Sequence, residues 1–292
     1  MEGIDSPKVA LAFARNPRPM VSTPLLEAAE LISRERVAPG FWCLGFRSPE
    51  IARRARPAHY VAIDLPGTFS VRLPLGIWTA RDDTFTLLFR EWGERTARLA
   101  CIADHEPLSI IGPLGNEFSL PETGKRAVIV AGGIGVVPFW LLVRELLAAK
   151  VRTTVVLGAR SKHMLVGVDE LRALGAEVKI CTDDGSAGTR ATALDLAREL
   201  AQPDIFYGCG PPPLLHALSD HANAAGIPCQ ISMEETFGCS MGTCWGCVVP
   251  IRRGAPQAVG YPRASNEKRE YDFARVCIDG TVFWSREVLW NR

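Results

Sequence analysis

The sequence predicts a β barrel followed by an α/β domain, with a small cysteine-rich piece at the C-terminal end. Short alternating runs broken by Pro and Gly fill residues 27–120, as expected of a small antiparallel barrel. From Arg126 onward, apolar strands alternate with helical stretches of about ten to fifteen residues, which argues βαβ units and a parallel sheet. Cys239, Cys244 and Cys247 then crowd into one glycine-rich stretch.

A length of 292 residues suggests two domains, or three if one is small. With 47% hydrophobic and 22% charged residues, the composition is that of a soluble globular protein. Lys plus Arg (33) nearly balance Asp plus Glu (32), and a net charge of +1 recruits neither nucleic acid nor an anionic membrane. The opening residues lack the basic and apolar regions of a secretory signal. No apolar run reaches the roughly 18 residues that span a bilayer. Nine cysteines in such a chain fit a reducing compartment, and the cytoplasm is expected.

Residues 1–26 carry Pro7, Pro17, Pro19 and Pro24 without periodicity and read as an N-terminal extension. In the barrel, residues 27–120, the runs Tyr60–Leu65, Phe69–Leu73 and Phe85–Phe89 are expected strands, and Gly112–Gly115 closes the set. The α/β domain, residues 121–229, starts with the apolar run Ala127–Ala131. Strands are expected at Thr153–Leu157, Glu177–Cys181 and Asp204–Gly208, with helices at Val137–Ala149, Thr189–Ala201 and Pro212–Ala225. Residues 230–292 hold the cysteine stretch and a polar insert, Arg252–Asp272.

Ligands of open parallel sheets sit beyond the carboxyl ends of the strands, where turns and helix N-termini hold phosphate. Gly133, Gly135 and Pro138 occupy the first such turn, although a purely structural turn would look alike. After the second strand the first charged residues are Arg160 and Lys162, which lean toward the extra phosphate of NADP unless both are solvated surface charges. Cys209, in Cys-Gly-Pro-Pro after the fourth strand, would stand near a nicotinamide or be a packed thiol.

Cys239, Cys244 and Cys247 are spaced C-x4-C-x2-C, the ligand spacing of a plant-type 2Fe-2S cluster, and Cys277, the only cysteine after Cys247, is the expected fourth ligand. Interleaved glycines let the backbone bend around the sulfurs. Zinc is the rival metal, but its thiols usually come as separated C-x2-C pairs. Simple packing is the expected role of Cys43, Cys101, Cys181 and Cys229.

Together these features resemble the ferredoxin-reductase superfamily, most closely the electron-transfer subunits of type B dihydroorotate dehydrogenase. The resemblance runs from about Glu27 to Val288. It is carried by Gly112-Pro-Leu-Gly-Asn-Glu-Phe118, Ala131-Gly-Gly-Ile-Gly-Val-Val-Pro138, Thr182-Asp-Asp-Gly-Ser186, Cys209-Gly-Pro211, Ser232–Cys239 and Arg275-Val-Cys277. It implies a ferredoxin-reductase-like fold with FAD on the barrel, NAD(P) on a Rossmann-like sheet and a C-terminal 2Fe-2S domain. It also implies a hetero-oligomer in which electrons pass between NAD(P)(H) and a catalytic oxidoreductase subunit, most simply the dihydroorotate dehydrogenase of pyrimidine biosynthesis. Related subunits serve sulfide, sulfite, glutamate-synthase-like or hydrogenase chemistry, and a flavin-less docking module with a structural metal is a further alternative.

Two motifs depart from the family pattern. An Arg-Pro-x-Ser flavin motif reads Leu73-Pro74-Leu75-Gly76, and a Gly-x-Gly-Thr turn reads Gly93-Glu-Arg95-Thr96. By resemblance, Arg72, Pro74 and Thr96 are the expected flavin contacts.

Overall fold

The structure, a computed structural model, describes residues 23–67, 71–259 and 270–290. Most of the N-terminal extension, Phe69 and Ser70 of one expected strand, and residues 260–269 of the polar insert lie outside the described residues.

The first half contains β1 (Leu25–Ala38), β2 (Phe41–Arg47), α1 (Pro49–Arg54), β3 (Tyr60–Ile63), β4 (Leu73–Arg81), β5 (Thr84–Arg90), α2 (Glu94–Ala100) and β6 (Pro107–Leu114). Its six strands close into an antiparallel barrel in the order β1-β2-β5-β4-β3-β6. Alternation drives closure: Leu31, Leu44, Phe46, Val61, Ile77, Phe85, Leu87 and Ile110 turn inward and are essentially fully buried. Phe46 and Phe85, paired across β2 and β5, stack with ring centroids 5.6 Å apart.

Helix α1 has no counterpart in the alternating pattern. It starts where extended Ser48 is followed by Pro49 in the first turn, and Ile51 is buried in the barrel core. Among the described residues, β4 begins at Leu73, the last residue of the expected strand Phe69–Leu73, and continues to Arg81. Pro74 can sit in it because β5 pairs with β4 only from Ile77 onward. The start of β4 is therefore an edge, where a missing N–H leaves no ladder partner unsatisfied. That unpaired edge faces one of the cavities described below.

The second half begins with β7 (Arg126–Gly132), a short 3-10 turn over Gly133–Val136, α3 (Phe139–Ala148), β8 (Arg152–Ala159), α4 (Val168–Ala173) and β9 (Glu177–Thr182). It continues through α5 (Ala193–Arg198), β10 (Ile205–Cys209), α6 (Pro212–Ala225), β11 (Cys229–Ser232), β12 (Val248–Arg252), β13 (Tyr271–Arg275) and β14 (Val282–Trp284). The sheet order is β14-β11-β10-β7-β8-β9. All neighbours are parallel except β14, which runs antiparallel to β11. The chain fills one side with β7, β8 and β9, then crosses back to place β10 on the other flank of β7. This reversal creates a crevice between the carboxyl ends of β7 and β10.

Barrel and sheet are fastened by α3, which buries Phe139, Trp140, Leu141, Leu142, Val143 and Leu146. Each such side chain contributes about 1.5–3 kcal/mol when fully buried. Arg144 of α3 donates to the Ala80 carbonyl of β4 at 2.9 Å. On leaving the barrel the chain is stapled to the C-terminal segment by Asn116. Its backbone N–H donates to Gly280 at 2.8 Å, while its side chain bonds both the N–H and the carbonyl of Val282. That accounts for Asn116 in the Gly112–Phe118 motif: a side chain pairs with β14 as a strand would.

Candidate active site: two joined cavities and a four-cysteine centre

The larger cavity, about 860 Å³, opens over the crevice between β7 and β10. Gly133, Gly135, Arg160 and the Gly210–Leu215 turn line it, as do Asp183 and Trp290. Gly135 is needed for packing: a Cβ there would lie 2.5 Å from the Cys209 carbonyl oxygen, so only glycine lets the two turns nest. Arg160 is exposed on the rim, and its side chain makes no ion pair among the described residues. The volume and the glycine turn suit a dinucleotide.

The smaller cavity, about 450 Å³, lies between the barrel, the sheet and the C-terminal segment. Pro74, Leu75 and Gly76 from the open edge of β4 form one wall, with Tyr60, Phe89, Trp92 and Phe237 around them. Pro138 and Cys209 reach it from the sheet, so both line this cavity and not the larger one. Burial and the Glu234 carboxylate push the Cys209 thiol well above its ordinary range, and it stays protonated. His59, also in the wall, accepts the Arg56 N–H on Nδ1 at 3.1 Å. Burial and Arg56 lower it to about 4, so its ring is neutral. Aromatic walls around a slot of this size fit a planar flavin ring.

The remaining expected flavin residues sit elsewhere. Arg72 is held against β6, donating to the Ser109 carbonyl at 2.8 Å and to its hydroxyl at 3.1 Å. Thr96 lies inside α2, where its hydroxyl accepts the Trp92 N–H at 2.6 Å and organises the turn into the helix. Leu73 is core, and Arg95 donates to the Val71 carbonyl.

Sequence reading missed Arg90. It borders both cavities, and among the described residues lining the smaller one it is the only arginine or lysine. The rings of Trp92 and Phe41 lie 5.1 and 5.9 Å from its guanidinium carbon. A lone arginine at a strand end carries no signal in sequence, since only the fold shows which strand ends meet. The cavities also share Ile134, Met233, Glu234 and Glu235, so a ligand in one can touch a ligand in the other. Burial raises the Glu234 carboxyl at this junction.

All four predicted ligand cysteines gather on the far side of Tyr60, and they gather as two pairs. Cys239 and Cys244 are near enough to interact with one another, as are Cys247 and Cys277. The backbone N–H groups of Met241, Thr243 and Cys244 point at the Cys239 sulfur from 3.4, 3.3 and 3.4 Å, and that of Gly246 at the Cys244 sulfur from 3.4 Å. Burial opposes ionisation of Cys239, but the Thr243, Cys244 and Met241 donors outweigh it and bring the thiol down to about 6. Cys247 also falls to about 6, through its interaction with Cys277, which is correspondingly held up. This loop is therefore preset for thiolates.

The long spacing to Cys277 is closed by the β12–β13 pair. Val248 lies opposite Arg275, and the Val276 N–H donates to the Cys247 carbonyl at 3.0 Å. Arg275 adds a fork to Asp279, at 2.8 and 3.0 Å, and a bond to the Gly242 carbonyl at 2.9 Å. It thereby ties one cysteine loop to the other. Two irons bridged by sulfide need two thiolates each, which matches two pairs.

Tyr60 joins the centre to the smaller cavity. Its ring lines that cavity and meets Phe237 at 5.2 Å, while its hydroxyl donates to the Cys277 carbonyl at 2.9 Å and approaches that of Ser240 at 3.3 Å.

Comparison with known proteins agrees with this layout. The dihydroorotate dehydrogenase B (NAD(+)) electron transfer subunit of Caldanaerobacter subterraneus subsp. tengcongensis is 32% identical over 262 residues, covering 89% of this chain and 97% of that one. The protein of the same name from Desulforamulus reducens is 33% identical over 270 residues, covering 90% and 98%. This chain belongs to the family of dihydroorotate dehydrogenase B electron transfer subunits. No family model matches the chain. A solved NADH-dependent reduced ferredoxin-NADP oxidoreductase is similar to this family member with a TM-score of 0.75 at 25% identity, over 93% of this chain and 92% of that one. The cytochrome b5 reductase domain of Ulva prolifera nitrate reductase, at 19% identity and a TM-score of 0.56 over 68% of this chain and 92% of that one, shares the fold.

Proposed function

We propose that this chain is the electron-transfer subunit of a dihydroorotate dehydrogenase, exchanging electrons between NAD(P)(H) and a separate catalytic subunit. The observation that carries the reading is spatial order: a dinucleotide-sized cavity opens into an aromatic slot, and Tyr60 separates that slot from four paired cysteines. Relatives named as electron transfer subunits support the catalytic partner and the hetero-oligomer.

Bound flavin would take two electrons as hydride and release them singly, which a 2Fe-2S centre requires. The chain's own residues prepare that exchange. Gly133 and the Gly210–Leu215 turn receive the dinucleotide, and Arg160 faces its ribose end. Arg90 supplies the cation for the FAD pyrophosphate that Leu73 cannot, while Pro74, Tyr60 and Phe237 flank the ring. Burial disfavours charge on Cys209 and Glu234 at the junction. Cys239, Cys244, Cys247 and Cys277 hold the cluster. A cytoplasmic location fits nine cysteines without a disulfide, and among the described residues no helix is long and apolar enough to cross a membrane.

Anaerobic purification tests the proposal: it expects about two irons and two sulfides per chain with bound FAD, and visible bands that bleach with dithionite. A colourless, zinc-containing protein would end it. Restoration of NAD(P)-linked turnover by a dihydroorotate dehydrogenase catalytic subunit identifies the partner.

A further inference from the structure

Ser240 follows the first ligand cysteine and carries two local penalties. Its backbone is left-handed, with φ +57, a conformation glycine takes freely and serine does not. Its side chain is 2% exposed, and its hydroxyl oxygen is shut from solvent with no hydrogen-bond partner among the described residues. A buried hydroxyl without a partner needs an explanation, because such groups are almost always satisfied. No acceptor meets it with hydrogen-bond geometry among the described residues, although the Tyr60 hydroxyl is near enough to interact with it, and its burial excludes bulk water. The backbone around it is fixed, since the Ser240 carbonyl receives the Tyr60 hydroxyl and the next N–H groups aim at the Cys239 sulfur.

Building on the cluster reading, we propose that the Ser240 hydroxyl donates a hydrogen bond to a sulfur of the iron–sulfur centre and raises its reduction potential. Sulfur is the acceptor such a centre would bring to this loop. The backbone donors already satisfy the Cys239 and Cys244 side of the loop, and Ser240 adds a donor that does not depend on loop length or glycine content. Reduction adds one negative charge to the centre, so a donor favours the reduced form and its removal lowers the potential. Ser240 is a positioning and tuning residue; it is no ligand.

The test uses the full chain carrying its cluster, as wild type, Ser240→Ala and Ser240→Gly. Iron and sulfide are counted, and the midpoint is read by potentiometric titration followed by electron paramagnetic resonance. Both variants are expected to disfavour reduction about tenfold, which is 59 mV for one electron. Their stabilities should diverge, because glycine relieves the left-handed strain and alanine does not. A purely structural serine would change melting temperature and cluster retention while leaving the midpoint unmoved. An unchanged midpoint in either loaded variant therefore overturns the inference, and if the alanine variant fails to load, the glycine variant decides alone. Wild-type protein without iron and sulfide would sink the cluster reading itself, a failure distinct from an unmoved potential.

Discussion

At the cluster end, Cys239, Cys244 and Cys247 come from one loop and Cys277 from another. At the flavin end, Leu73 is core, Arg72 is bonded to Ser109, Thr96 caps a turn, and the cation in reach comes from Arg90 on a different strand. The contrast reflects chemistry. Iron takes sulfur from defined positions, so ligation is written in residue identity. A flavin is held by shape, aromatic walls and one well-placed charge, and a barrel can supply that charge from any strand that borders the slot.

The sharpest way to break this comparison is at the cluster. Cys277→Ala is expected to lower bound iron and sulfide about tenfold or more on purification, since it strips one pair of its partner. Retention of a full complement would show that another sulfur serves. Next in size, Arg90→Ala should weaken FAD binding about tenfold or more by fluorescence titration, the scale of one charge-assisted hydrogen bond. Arg95→Ala should stay within about twofold, because its guanidinium is committed to the Val71 carbonyl. Equal losses in both would mean that Arg95 shares the grip on the flavin.

Arg160→Ala should raise the apparent KM for NADPH about tenfold, again one charge-assisted contact, with little change for NADH. An equal effect on both removes Arg160 from the 2′-phosphate. The smallest effect is expected from Gly76→Ser, which restores the hydroxyl of the family motif. Its Cβ would meet Val137 Cγ1 at 2.8 Å, and overpacking of this kind costs about 1–3 kcal/mol. A lower melting temperature without tighter FAD binding is the predicted outcome, and tighter binding would mean that Gly76 is simply a lost contact.

Much of the fold was legible because strand and helix periods differ. The runs at Ala127, Thr153, Glu177 and Asp204 all became strands of one sheet, and Pro212–Ala225 is a helix with the bounds expected of it. Helix α1 was overlooked although Ser48-Pro49 is a start signal, because its six residues are too few to show a period. Convergence was the illegible part. Tyr60 and Cys277 are separated by 217 positions, and no local pattern announces that a barrel hydroxyl will hold a cluster loop. Pro138 and Cys209, expected beside the nucleotide, border the slot, because the β7 and β10 turns nest against β4 there.

Tyr60 belongs to β3, yet it grips the backbone on both sides of the metal centre. Folding of the barrel and retention of iron are consequently linked through this side chain. Loss of colour during heating or denaturant titration should then track the melting of strands remote from any sulfur, giving this protein a built-in optical gauge of its own integrity.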